Sequence, residues 1–254
     1  MNRAKFFNSI RPDMGSLATE TVAGIEALLD AGRDLPLHHM ANVLAQVRRE
    51  TGGWMAPIKE TVMPWHKNKN PSDKEVIRRL DRAFAKGQLP WVKTPYWRDG
   101  EFGRGQVQVT HAVNRVKFGI TDRDDLLRLD VSARVAVEGM RDGKFTRRKL
   151  ADYDFPDAIH NPPNANPRRI VNGRDGSDAE VAASHNMFAT ALVAGGWGTQ
   201  AHVAPAPTPV QPTPFHVLPV QPVVDYEWPV PAPVTPPPPV GFWAWLAAFF
   251  TRKD

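Results

Sequence analysis

A block of proline divides this chain more sharply than any other feature. From Val203 to Pro239 it reads VAPAPTPVQPTPFHVLPVQPVVDYEWPVPAPVTPPPP. Each proline fixes φ and removes a backbone donor, so a stretch this dense forms neither helix nor sheet and reads as an extended linker. A packed core is therefore expected within residues 1–200, followed by the linker at 203–239 and a short apolar tail at 240–254. The first region is long enough for one sizeable core.

Within residues 1–200 the apolar residues recur at helical spacing. Leu17, Val22, Ile25, Leu28 and Leu29 share one face, and Ala31-Gly32 ends that segment. Leu37, Met40, Leu44 and Val47 make a second stripe, stopped by Gly52-Gly53. KEVIRRLDRAFAKG predicts a third helix with Val76, Ile77, Leu80 and Phe84 inward, and LLRLDVSARVAVEGMRDG and AEVAASHNMFATALVA carry further helical signals. QVQVT (106–110) alternates after Gly103-Arg104-Gly105, and reads as a short strand or an extended loop entering a helix. Alternation would put Gln106, Gln108 and Thr110 on one face and Val107 and Val109 on the other. The class is mainly α, with a small β element or extended loop.

Composition removes several chemistries. The chain has no cysteine, which excludes disulfides, thiolate nucleophiles and Cys-ligated zinc. Its histidines show no ligand spacing with a nearby acid, so neither metal nor cofactor is expected. Gly103-Arg104-Gly105 lacks the third glycine and the preceding strand of a dinucleotide fingerprint. A net charge of +5 and a pI near 9.6 favour a polyanionic partner, or else mark a solvated basic face. Lysines and arginines are dispersed without a recognition-helix pattern, so no nucleic acid is expected. The N-terminal MNRAKFFNSIRPDMGS has no apolar core of a secretory signal. The expectation is synthesis in the cytoplasm and delivery to any outside target by another agent.

One carboxylate stands out. Glu50 falls three positions after Val47, toward the buried side of its helix, and in the last turn before Gly52-Gly53. Apolar burial and the negative end of the helix dipole both favour a protonated carboxyl, as a general acid for glycoside cleavage requires. The glycines leave backbone room for a bulky substrate. The alternative is a surface glutamate paired with Arg48 or Arg49.

RETGGWMAPIKE (49–60) resembles the catalytic stretch of family 19 chitinases and of the phage endolysins related to them. FGRGQVQVTHAVN (102–114) looks like a second segment of that family, and RRIVNG (168–173) is similar to a third, in the same order. The resemblance covers most of residues 35–195 and implies a lysozyme-like helical domain that cuts β-1,4 glycosidic bonds. It makes Glu50 the general acid and Glu60 the second carboxylate, which activates water or stabilises the oxocarbenium ion. Gln108 and Thr110 match residues that hold water or sugar, and Asn114 and Asn172 match substrate-binding asparagines. Arg49 stands where the family often has His, Arg115 follows Asn114 in place of Tyr, and Arg174 replaces a second Gly. Plant-type members take the base from further downstream, near Asp73 or Glu75, so Glu75 and Glu101 are alternatives to Glu60. Gly103 and Gly105 would let backbone approach a sugar ring. Trp54, Trp65, Trp91 and Trp97 are either stacking platforms or core.

The implied substrate is peptidoglycan, with chitin-like oligosaccharides as a second class. Other readings are a lytic transglycosylase, which uses a single Glu, and a non-catalytic wall-binding or virion structural protein. In the tail, GFWAWLAAFF is too short to cross a bilayer as a helix. Phe242, Trp243, Trp245, Leu246, Phe249 and Phe250 can instead lie at a membrane surface with Arg252 and Lys253 beside lipid phosphates, or dock on protein.

Overall fold

A computed structural model of the chain describes residues 1–60, 67–90, 92–156, 159, 167–173 and 175–198. The linker and tail expected at 203–254 lie outside the described residues. The elements are α1 (Arg3–Met14), α2 (Thr19–Ala31), α3 (Leu37–Glu50), β1 (Ile58–Lys59), α4 (Asp73–Ala85), β2 (Arg104–Gly105), α5 (Ala112–Val116), α6 (Leu129–Asp142) and α7 (Asp178–Gly195). Short 3₁₀ turns lie at Tyr96–Asp99, Arg123–Leu127, Leu150–Asp152 and Pro167–Ile170. The fold is mainly helical, and among the described residues the only sheet is the two-stranded β1–β2 pair.

α3 is the central element. All its residues from Met40 to Val47 are buried, including Asn42 and Gln46, as a helix enclosed on every side requires. It packs most extensively on α7, while α1 also lies along α7 and α2 lies on α6. Ile25, Leu28, Leu44, Val47, Val135, Met140 and Phe188 belong to the resulting core. The stripe on α4 buries Val76 and Leu80, with Ile77 and Phe84 half-buried, in a second, smaller core with Ile58, Leu89, Trp97 and Phe102.

The two strands join these cores. β1 and β2 run antiparallel with Ile58 opposite Gly105 and Lys59 opposite Arg104. Arg104 and Val109 then exchange backbone hydrogen bonds at 2.9 and 3.2 Å, so the chain doubles back between them. QVQVT is thus mostly a tight turn, with Gly105 at φ +87° and Gln108 at φ +50°. The expected alternation of faces fails because a turn reorients each residue separately. Gln106 does not face a cleft: its Nε2 donates to the carbonyls of Gly24 (3.1 Å) and Met55 (2.5 Å), tying α2 to the loop after α3. α2 lies so close to that loop that a Cβ on Gly24 would stand 2.3 Å from the Met55 carbonyl oxygen.

Candidate active site

The C-terminal turn of α3 is held from one side by its two arginines. Arg48 Nη1 donates to Ser184 Oγ at 2.7 Å, and Arg49 pairs with Glu180 at 3.1 Å, both on α7. Glu50, on a different side of the helix, is 4% exposed and meets neither arginine as an ion-pair partner. The alternative of a surface glutamate paired with its neighbours is therefore set aside. Its Oε1 lies 2.5 Å from Nη2 of Arg168, which is fully buried.

Arg168 sits in a cluster assembled from distant segments. Its Nε and Nη2 each lie 2.8 Å from Asp175 Oδ2, and its Nη1 donates to Gln46 Oε1 at 3.0 Å. Gln46 in turn donates to the Pro167 carbonyl at 2.8 Å. Burial works against the Asp175 anion, but Arg168 and the Ser177 hydroxyl and N–H outweigh it and hold the carboxyl below its ordinary range. One guanidinium thus faces two carboxylates. Arg168 thereby ties Glu50 at the end of α3 to Asp175, just ahead of α7. This arrangement replaces the helix-end and apolar environment expected for Glu50.

Glu50 lines a pocket of about 220 Å³ with Gln108, Thr110, Asn114, Phe145 and Asn172 among its walls. Five residues chosen from the sequence therefore converge on one cavity. Gln108 Nε2 donates to the Ile58 and Gly105 carbonyls at 3.1 and 2.7 Å, which fixes the orientation of its amide. Its buried Oε1 has no hydrogen-bond donor among the described residues. The left-handed backbone at Gln108 costs about 1–3 kcal/mol, and the two amide bonds help to hold it. Thr110 donates to the Gln108 carbonyl, Asn114 donates to that of Thr110, and Asn172 donates to Asp175 Oδ2. The pocket offers one acid, two asparagines, a hydroxyl and an amide oxygen, with Phe145 as an apolar wall.

Glu60 does not line this pocket. It is 4% exposed, accepting from the Tyr96 hydroxyl (2.9 Å) and from Gly103 N–H (2.9 Å). Burial pushes its carboxyl up, against the pull of Gly103, Tyr96 and Arg104. The other candidate bases are also elsewhere. Glu75 binds Arg78 and Arg79, which bring its carboxyl down to about 2, and Glu101 pairs with Arg115 at 2.7 Å. Asp73 is enclosed by Lys59, Arg104 and Arg123.

The glycines and tryptophans also resolve. A Cβ on Gly103 would stand 2.8 Å from Gln108 Oε1, and one on Gly105 would stand 3.0 Å from Ser132 Oγ, so both glycines serve close approach within the protein itself. Trp97 is core, fully buried with its Nε1 donating to Asp81 at 2.9 Å. Trp54 is half-buried and lines a separate groove. Trp65 and Trp91 lie outside the described residues.

Sequence reasoning did not single out Arg168, Asp175, Gln46, Phe145 or Tyr96. RRIVNG contains Arg168, but nothing local says that this arginine meets a carboxylate at position 50. Gly139 permits Phe145 to lie against α6, where a Cβ would be 2.2 Å from the ring. Among the described residues no group of three or more His, Asp or Glu is placed to hold a metal ion. No family model, curated protein or solved structure matches the chain.

Proposed function

We propose that this protein cleaves β-1,4 glycosidic bonds of peptidoglycan, with Glu50 as the acid that protonates the leaving oxygen. The observation that carries the reading is the convergence of Glu50, Gln108, Thr110, Asn114 and Asn172 on one pocket. Glu50 lines the pocket while Arg168 holds its Oε1 in place. The asparagines and Thr110 supply hydrogen bonds for sugar hydroxyl and acetamide groups. Gln108 Oε1, a fixed acceptor with no donor among the described residues, suits a water or a sugar N–H. Proton transfer of this kind contributes about 10²–10⁴-fold in rate. A Glu50→Gln protein is expected to fold normally and fail to clear a suspension of purified wall. Retained clearing by that variant would end the assignment.

In the hydrolytic form of this reading Glu60 is the base, and burial, by raising its carboxyl, makes it a stronger one. A second form is favoured by the lining of the pocket. Glu50 is the only carboxylate among its described lining residues, while both Glu60 oxygens are already engaged. That is the arrangement of a lytic transglycosylase, which needs one acid and leaves anhydro sugar ends. Mass spectrometry of the digest separates the two forms. Anhydro products together with an active Glu60→Gln variant select the single-acid route; reducing ends with an inactive variant select Glu60.

Action on the wall also frames the tail. The aromatic residues at 242–250 are proposed to rest at a membrane surface while the linker lets the helical domain reach the wall. Liposome flotation of the full chain against residues 1–200 tests this, with loss of binding expected only in the shorter form.

A further inference from the structure

A second concavity opens at the turn that follows Glu50. It measures about 580 Å³ and is lined by Arg48, Lys67, Lys69, Asp13 and Trp54, with Gly52 and Gly53 at its edge. Three cations thus face one anion. Lys67 is exposed, and Arg48 and Lys69 are half-buried. Trp54 is half-buried against the smaller core, and its carbonyl is pinned by Thr21 Oγ1 at 3.0 Å. Nothing lies within 4 Å of a Cβ built on Gly53, so the rim beside Trp54 is open. Gly52 follows Glu50 by two residues, which places their Cα atoms within about 7 Å. The short segment from Arg48 to Trp54 therefore contributes walls to both concavities.

We propose that this groove binds the carboxylate-bearing substituents of a glycan strand whose scissile bond lies at Glu50. The proposal rests on the function proposed above and names what the groove selects: the acidic muramyl-peptide side chains of peptidoglycan, over the uncharged chain of chitin. A tryptophan face suits a sugar ring or peptide apolar group, and the surrounding ammonium and guanidinium groups suit carboxylates.

The test uses the full chain carrying Glu50→Gln, so that binding is read without turnover. It is sedimented with purified walls, and with the same walls after their carboxyls are amidated with carbodiimide and ammonia. In that background Lys67→Gln/Lys69→Gln is expected to weaken binding to native wall roughly three- to tenfold, the scale of two ionic contacts at a solvent-accessible groove. It should leave binding to amidated wall unchanged. Lys67→Glu alone, at an exposed position, is the second variant should the double one misfold, and it should weaken native-wall binding by at least as much. Unchanged binding to native wall, or equal loss on both walls, overturns the groove. Cleavage by the parent chain is scored separately: cleavage without charge-dependent binding overturns the groove and leaves the glycosidase. Charge-dependent binding without cleavage overturns the glycosidase and supports the groove.

Discussion

Arg168 is the residue on which the candidate site most depends. Fully buried and surrounded by Glu50, Asp175 and Gln46, it is the cation that pairs with both carboxylates among the described residues. Arg168→Met should leave two buried carboxylates uncompensated, a loss of about 3–5 kcal/mol readable by urea unfolding at neutral pH. His185 makes the opposite kind of case. It is buried and stacked between His38 and Phe155 at 5.6 and 5.3 Å, with no hydrogen bond to either ring nitrogen among the described residues. Burial, aided by His38, brings it down from 6.5 to about 3. The unfolded chain thus binds the extra proton between those limits, so this contribution is complete above pH 6.5 and shrinks as pH falls toward 3. The stability of the parent relative to His185→Phe should decline by up to about 1.4 kcal/mol per pH unit across that window, measured by denaturant titration. The burial of Glu50 was legible because its helix phase behind Val47 turned it toward the packed side, while its site role came from the resemblance. Arg168 was not, because its role depends on contacts that close only in three dimensions.

At the level of elements, helix periodicity was a reliable guide and strand periodicity was not. The stripes through Ile25 and Leu28, through Met40 and Val47, and through Val76 and Leu80 all became buried faces. QVQVT alternates just as cleanly, yet Gly105 and Gln108 turn the chain inside it. Five residues are too few for alternation to outweigh a left-handed glycine and the bridge from Arg104 to Val109. Thr110 and Gln108 still reach the pocket, and Val107 and Val109 line it as well, which no strand would allow. The close packing of α2 on the loop after α3 gives another test. Alanine at Gly24 gains up to about 1 kcal/mol of helix propensity but drives a methyl into the Met55 backbone. Overpacking of about 1–3 kcal/mol should dominate and lower the melting temperature by a few degrees, read by circular dichroism.

For the whole molecule, core packing continues to Trp197, at the end of the described residues. Trp197 is 8% exposed and donates its Nε1 to the Leu35 carbonyl at 2.9 Å. A chain ended after residue 198 should unfold at the same temperature as the full-length protein. One ended after residue 195 should lose about 3 kcal/mol with the tryptophan, by the same thermal assay. The long reach of the contacts has a further effect. α3 finds its principal partner in α7, and Glu50 finds its guanidinium only at residue 168. During synthesis the N-terminal helices emerge with neither. The proton donor proposed here would therefore be put together last, so that an unfinished or prematurely released polypeptide would carry the acid in its sequence without the means to use it.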